Sequence, residues 1–199
     1  HTYECTIGFL IPLSTGCSVY YLNRPPSATA LMPALHTVRP HLMLSVPLLI
    51  EKLYRQSVLP SLTGKPLTRR IYASTLGRKL LNRLAGRKLR RVFGGRLYFF
   101  GIGGAALAPE VEDFLIEARF PYAVGYGLTE TSPLIAGANN RDMRPRSTGF
   151  PLEGVEVQIA EADPQSGDGE ILVRGPIVMQ GYYKDPERTA EAIDADGWF

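Results

Sequence analysis

The sequence predicts an α/β protein in which a parallel-sheet region is followed by part of an antiparallel β subdomain. One observation is a repeated rhythm. A strand pattern over 96–102, apolar from 97 to 100, breaks into glycines, a helical pattern follows over 109–119, and residues 122–124 form a second short apolar run ending in another glycine turn. Strand, glycine turn, helix, strand, glycine turn is the order of a parallel sheet whose ligands sit at the carboxyl ends of its strands. A second observation is the later switch to period two, where Val155, Val157 and Ile159 alternate with polar residues, 164–169 is a turn cluster and 170–174 supplies a returning strand. Composition agrees: 45% hydrophobic content suffices for a core, and 20 glycines with 16 prolines suit a protein of many turns.

In chain order, residues 5–23 carry no charge, but Gly8, Pro12 and Gly16 with several polar residues argue against a membrane span and for a short helix, a glycine turn and a strand over 17–22. Residues 28–37 read as a helix, 41–46 as a buried strand and 47–56 as a helix with Pro47 in its first turn. In the helix 109–119, Glu110, Glu112 and Asp113 suit the amino-terminal dipole, and Val111, Phe114, Leu115 and Ala118 share one face. A boundary falls near 145–151, giving regions 1–147 and 148–199, and 187–194 reads as a last short helix. Cys5 and Cys17 form no disulfide framework and read as buried packing residues, which favours a reducing compartment, the cytoplasm.

The net charge of +3 conceals a block: between Lys65 and Arg96 stand eleven of the chain's 22 basic residues and no acid. Leu76, Leu80, Leu81, Leu84 and Leu89 interleave with it at helical spacing. Such a block suits an anionic partner, whether lipid headgroups or acidic faces elsewhere in the parent protein, or it is a solvated helical face. Nothing in it combines base-reading side chains with a nucleic-acid motif, so no nucleic acid is expected. A peripheral contact with a membrane surface through 65–96 is one expectation from this block.

The chemistry concentrates in Tyr122-Ala-Val-Gly-Tyr-Gly-Leu-Thr-Glu-Thr-Ser-Pro133, which joins glycines to an aromatic face, hydroxyls and a carboxylate. Tyr126 offers a stacking surface, Thr129 and Thr131 offer donors to phosphate oxygens, and Glu130 is a hard oxygen ligand suited to Mg²⁺. The structural alternative is a tight turn capped by threonine. A second stretch, Gly101-Ile-Gly-Gly-Ala-Ala-Leu-Ala-Pro-Glu110, follows an apolar run. Its glycines give clearance to a ligand, or simply turn a strand into a helix.

Together these stretches resemble the signatures of the adenylate-forming (AMP-binding) superfamily, which includes acyl-CoA synthetases, luciferases and peptide-synthetase adenylation domains. The carboxyl end, residues 169–187 with Asp196-Gly-Trp-Phe199, is similar to the long motif before that family's hinge and is read as architectural. The opening His1-Thr-Tyr-Glu4 and Val38-Arg-Pro-His-Leu-Met-Leu-Ser-Val-Pro47 look most like long-chain fatty acid CoA ligases, although such enzymes often carry Arg where this chain has Leu48. The resemblance implies the central part of an N-terminal adenylate-forming domain. Region 1–147 would bind acyl group and adenine, and 148–199 would be a partial β subdomain leading to the hinge.

It further implies that Thr129 and Glu130 are catalytic and that Glu130 binds the metal. Gly103, Gly104, Ala105, Tyr126, Gly127 and Thr129 would contact the nucleotide, and His1, Gly103 and Gly127 the acyl substrate; an unengaged terminal histidine is the equal alternative for His1. Fatty acid, ATP, Mg²⁺ and CoA are the expected reactants and cofactors. Two other readings stand beside this one: an acyl-adenylate ligase that loads a carrier protein, and a non-catalytic nucleotide- or membrane-binding module. The family's phosphate loop would precede His1, its ribose-binding aspartate would follow Phe199, and its mobile carboxyl-terminal domain carries the catalytic lysine. These 199 residues are therefore expected to need the remainder of a parent chain, including that domain, and to be inactive alone.

Overall fold

The computed structural model describes residues 1–23 and 27–199. A π-helical stretch, Glu4–Leu10, runs directly into α1 (Ile11–Ser14) and the chain then turns at Gly16, where φ is 72° and a side chain would be strained. Neither helical segment buries a residue. Cys5 and Cys17, expected as packing residues, are accordingly exposed and free. The strand expected over 17–22 does not form: this segment finds no sheet edge, and Tyr20, Tyr21 and Leu22 stay exposed.

Helix α2 (Ala28–Val38) starts where the Ser27 hydroxyl accepts from the Ala30 amide and stops at Arg39, in the left-handed region. After β1 (Leu42–Ser45), α3 (Pro47–Leu53) continues through a π-helical turn, Tyr54–Val58, into α4 (Leu59–Thr63). Helices α5 (Pro66–Tyr72) and α6 (Thr75–Val92) carry the basic block, and the Ser74 hydroxyl caps α6 by accepting from Gly77. Strand β2 (Phe99–Ile102), helix α7 (Pro109–Glu117) and strand β3 (Tyr122–Val124) follow.

The three strands form a parallel sheet in the order β1-β2-β3, with Ser45 beside Ile102 and Ile102 beside Val124. Central β2 is buried from Phe100 to Ile102, as a parallel strand covered on both faces should be. β1 is an edge strand, so the burial expected for it is incomplete and Leu42 is exposed. Phe93, Phe100 and Phe120 meet with ring centroids 5.3 to 5.9 Å apart, and Tyr54 packs on Phe114 at 5.0 Å. The predicted face of α7, Val111, Phe114, Leu115 and Ala118, is buried in this core. Gly86 of α6 lies against Ala118, where a Cβ would sit 2.6 Å from the carbonyl oxygen. Absence of a side chain there lets α6 approach the end of α7 closely.

The leucines of α6 divide between two opposite faces. Leu81 and Leu89 pack into the core, while Leu76, Leu80 and Leu84 are exposed.

A buried carboxylate ties β3 to α7. Glu112 is 3% exposed; it accepts from the Tyr122 hydroxyl at 3.0 Å and from the Arg146 amide and guanidinium at 3.0 and 2.7 Å. Burial, then the charge of Glu112, raise the Tyr122 phenol well above its ordinary range. Glu112→Ala is expected to lower stability by about 2 kcal/mol, because it leaves the Tyr122 hydroxyl without an acceptor. Urea unfolding checks this, and Tyr122→Phe on the Glu112→Ala background should recover part of the loss.

Strands β4 (Ala136–Gly137) and β5 (Phe150–Pro151) pair antiparallel. The predicted hairpin is β6 (Glu156–Ala160) and β7 (Glu170–Arg174), with Val157 opposite Val173 and Ile159 opposite Ile171. A second core joins Ile135, Ala136, Val155 and Val173. Only one end of the hairpin reaches it, so Ile159 and Ile171 are exposed despite the alternation. Helix α8 (Pro186–Ala192), capped by the Asp185 carboxylate accepting from Arg188, follows the hairpin. Among the described residues no helix is long and apolar enough to cross a membrane.

Candidate functional site

Parallel register brings the two glycine turns side by side. The Gly103 amide donates to the Ser45 carbonyl at 3.2 Å and the Gly125 amide to the Ile102 carbonyl at 3.0 Å, so each turn leaves the carboxyl end of its strand beside the other. The first turn is fastened at its far end, where the Glu51 carboxylate of α3 accepts from the Ala108 amide at 2.9 Å. Gly104 and Ala105 between these anchors are exposed, and Gly104 has a φ of 87°.

Clearance for a ligand explains less of this turn than the sequence suggested. A Cβ on Gly103 would meet the ring of Tyr3 at 3.4 Å, and Gly104 is required by its backbone conformation. The Tyr3 ring therefore covers Gly103. His1 itself is exposed at the chain end, with its Nδ1 accepting from the Tyr3 amide at 3.3 Å. Burial, with a smaller effect of Glu4, pushes the Tyr3 phenol up to about 12, so it stays a neutral hydroxyl.

Tyr3, Ile7, Leu44, Phe99, Gly101 and Leu134 contribute to an apolar cavity of about 90 Å³ against the sheet. Tyr3 belongs to the opening stretch that carries the resemblance, which implies no role for it. Leu48 is exposed.

In the second turn, Tyr126 exchanges main-chain hydrogen bonds with Ala136 at 2.9 and 3.1 Å, and its side chain packs on the second core. Gly127 passes so close to the Pro133 carbonyl that a Cβ would collide with it. Thr129, exposed, begins the 3₁₀ turn Thr129–Thr131. Thr131 corrects an expectation. It is fully buried, its hydroxyl accepts from the Leu128 amide at 3.0 Å and lies 3.2 Å from the Pro133 carbonyl, so it closes the turn and is unable to reach a phosphate.

Glu130 is held from the far end of the chain. Its main-chain carbonyl accepts from the Met179 amide at 2.8 Å, and its Oε1 accepts from the Tyr182 hydroxyl at 3.1 Å. That bond raises the Tyr182 phenol above its usual range. Tyr182 is fixed in turn by its amide, which donates to the Thr189 hydroxyl at 2.9 Å. The segment 175–183, read from sequence as architectural, thus supports the carboxylate directly. A partner some fifty residues distant leaves no periodic trace in a sequence.

The profile described as "AMP-binding enzyme" matches residues 1–183. The chain belongs to the AMP-binding enzyme family. It resembles long-chain fatty acid CoA ligases of that family. Long chain acyl-CoA synthetase 6, peroxisomal, of Arabidopsis thaliana is 36% identical over 190 residues, covering 84% of this chain and 27% of that protein. Long-chain-fatty-acid--CoA ligase 2 of Schizosaccharomyces pombe is 29% identical over 183 residues, covering 81% and 26%. The chain thus spans about a quarter of the length of these curated relatives.

Among solved structures of the AMP-binding fold, a malonyl-CoA ligase complex with methylmalonyl-CoA and AMP aligns over 100% of this chain and 38% of its own, with TM-score 0.67 and 25% identity. Apo MatB from Rhodopseudomonas palustris aligns over 100% and 34% with TM-score 0.67 and 22% identity, a likeness of fold.

The residues around Glu130 would fit a divalent cation. Glu130 has one carboxylate oxygen held by Tyr182, while the other takes no hydrogen bond among the described residues. No group of three or more His, Cys, Asp or Glu side chains forms a cage among them. A single carboxylate completed by substrate phosphates and water is how Mg²⁺ is commonly bound in nucleotide sites.

Proposed function

We propose that this chain is the central part of an ATP-dependent fatty acid CoA ligase, activating a long-chain fatty acid as its acyl-adenylate and passing the acyl group to CoA. The observation that carries the reading is the pairing of the two glycine turns at the ends of β2 and β3, with the Tyr126–Glu130 segment on one and the apolar cavity beneath both.

In this reading the exposed backbone of Gly104 and Ala105 faces the nucleotide, Gly103 and Gly127 shape the two turns, and adenine lies on Tyr126, whose other contacts are fixed by the second core. The fatty acid carboxylate is already ionised near neutral pH and needs no general base. Its oxygen forms a bond to the α-phosphorus of ATP as the bond to the pyrophosphate oxygen breaks. The Thr129 hydroxyl donates to an α-phosphate oxygen where negative charge develops. Glu130 would hold Mg²⁺, which offsets phosphate charge. In the second step the CoA sulfur, as its thiolate, attacks the acyl carbon and AMP leaves with the electron pair of the broken C–O bond. The apolar lining near Tyr3 and Ile7 favours a hydrocarbon chain over a polar acid. Regions 1–147 and 148–199 divide the work into binding and support, and the mobile domain of a longer parent chain completes the catalysis.

ATP–pyrophosphate exchange by the complete protein, measured across acids from acetate to oleate, tests the reading. Exchange should rise with chain length; exchange that is absent with every acid, or that falls as the acid lengthens, would overturn it.

A further inference from the structure

Helix α6 has a second apolar stripe that its own core does not use. Leu76, Leu80 and Leu84 recur at four-residue intervals, so they line one side of the helix, and they are 83%, 58% and 50% exposed. Asn82, Gly86 and Leu89 mark the buried side, roughly opposite. Arg83, Arg87, Lys88 and Arg91 are exposed on and beside the leucine stripe, and among the described residues none of them forms an ion pair. Arg78 and Arg90 differ: Arg78 pairs with Glu117 at 2.9 Å and Arg90 donates to the Leu97 carbonyl, both serving the fold. Leu67 and Ile71 of the preceding α5 are also exposed, at 70% and 39%. No acidic residue lies anywhere between Lys65 and Arg96.

We infer that this outer stripe of α6 docks the protein on an anionic lipid surface. Charge complementarity selects the occupant. Unpaired cations draw the helix to acidic headgroups, and leucines spaced among them enter the interface between headgroup and acyl chain. Phosphates of a nucleic acid would be served by the cations alone and give the leucines no role. An acidic segment of the parent chain seated on the stripe is the other occupant that the test must exclude. The inference does not depend on the ligase reading, because the stripe lies outside the residues assigned to adenylation.

Flotation of the complete protein with vesicles of phosphatidylcholine, with and without phosphatidylglycerol, tests it. The protein should float with the anionic vesicles, be released by high salt, and stay unbound to phosphatidylcholine alone. Substituting Arg83, Arg87, Lys88 and Arg91 together by Gln should reduce partitioning at least about tenfold. Substituting Leu76, Leu80 and Leu84 by Ser should reduce it roughly fivefold, with thermal melting and ATP–pyrophosphate exchange unchanged. A folded wild-type protein that ignores anionic vesicles would overturn the inference and point to a covered face. So would vesicle binding indifferent to the leucine substitutions, or binding to a DNA oligonucleotide that the Gln variant loses while vesicle binding persists.

Discussion

Glu130→Ala in the complete protein is expected to lower ATP–pyrophosphate exchange by about a thousandfold, the upper range for removing one electrostatic stabiliser of a developing charge. The structure gives reasons for so large an effect. The carboxylate is immobilised by two contacts, Met179 to its main chain and Tyr182 to its side chain, and one oxygen is left for a cation. No neighbouring group of acids among the described residues is placed to substitute for it. Tyr182→Phe provides a graded companion. It keeps the ring and removes the bond to Oε1, so exchange should fall by about tenfold and the Mg²⁺ concentration needed for half-maximal rate should rise, as expected for a group that orients a ligand. If Glu130→Ala left exchange within threefold of wild type (roughly 0.65 kcal/mol), the metal-binding role would be wrong.

Gly127→Ala should be worse for the protein than its single methyl suggests. The Cβ would enter the space of the Pro133 carbonyl, which is backbone and is pinned by the buried Thr131 hydroxyl 3.2 Å away. Neither partner has a rotamer to change, so the turn itself must move. A cost of about 3 kcal/mol is expected, at the upper end for overpacking. Because Tyr126 and Thr129 flank this glycine, ATP binding should weaken together with stability. Calorimetric titration of ATP against the folded variant at low temperature separates the two. Gly154→Ala is the control: its φ of 77° strains a side chain, but nothing lies within 4 Å of the added Cβ, so ATP affinity should be unchanged.

What the sequence revealed follows from the range of the interactions. Strands β2 and β3 and helix α7 were legible because apolar runs, glycine turns and a four-residue face are local patterns, and the buried set Val111, Phe114, Leu115 and Ala118 was correct in full. The hairpin was legible for the same reason. The exposure of Cys5, Cys17 and Ile159 was not, since burial depends on whether another element arrives to cover a residue. The site divides in the same way. The candidate glycines, Tyr126, Thr129 and Glu130 lie in two contiguous stretches distinguished by composition. Tyr3 over Gly103 and Tyr182 on Glu130 are contacts between distant segments, and Thr131 was misread because a hydroxyl in a motif looks alike whether it faces a ligand or its own turn.

If Glu130 holds the cation as proposed, the paired bonds from Met179 and Tyr182 make the carboxyl-terminal segment a party to metal affinity. Linkage is reciprocal: if a cation on Glu130 favours one placement of residues 179–182, whatever repositions those residues must change the cation's dissociation constant by the same factor. Tyr182 is fastened through Thr189 to α8, so the segment is joined to the helix that follows it. A repositioning of that helix would then change cation affinity at Glu130, and a bound cation should in turn protect the 179–189 amides from hydrogen exchange.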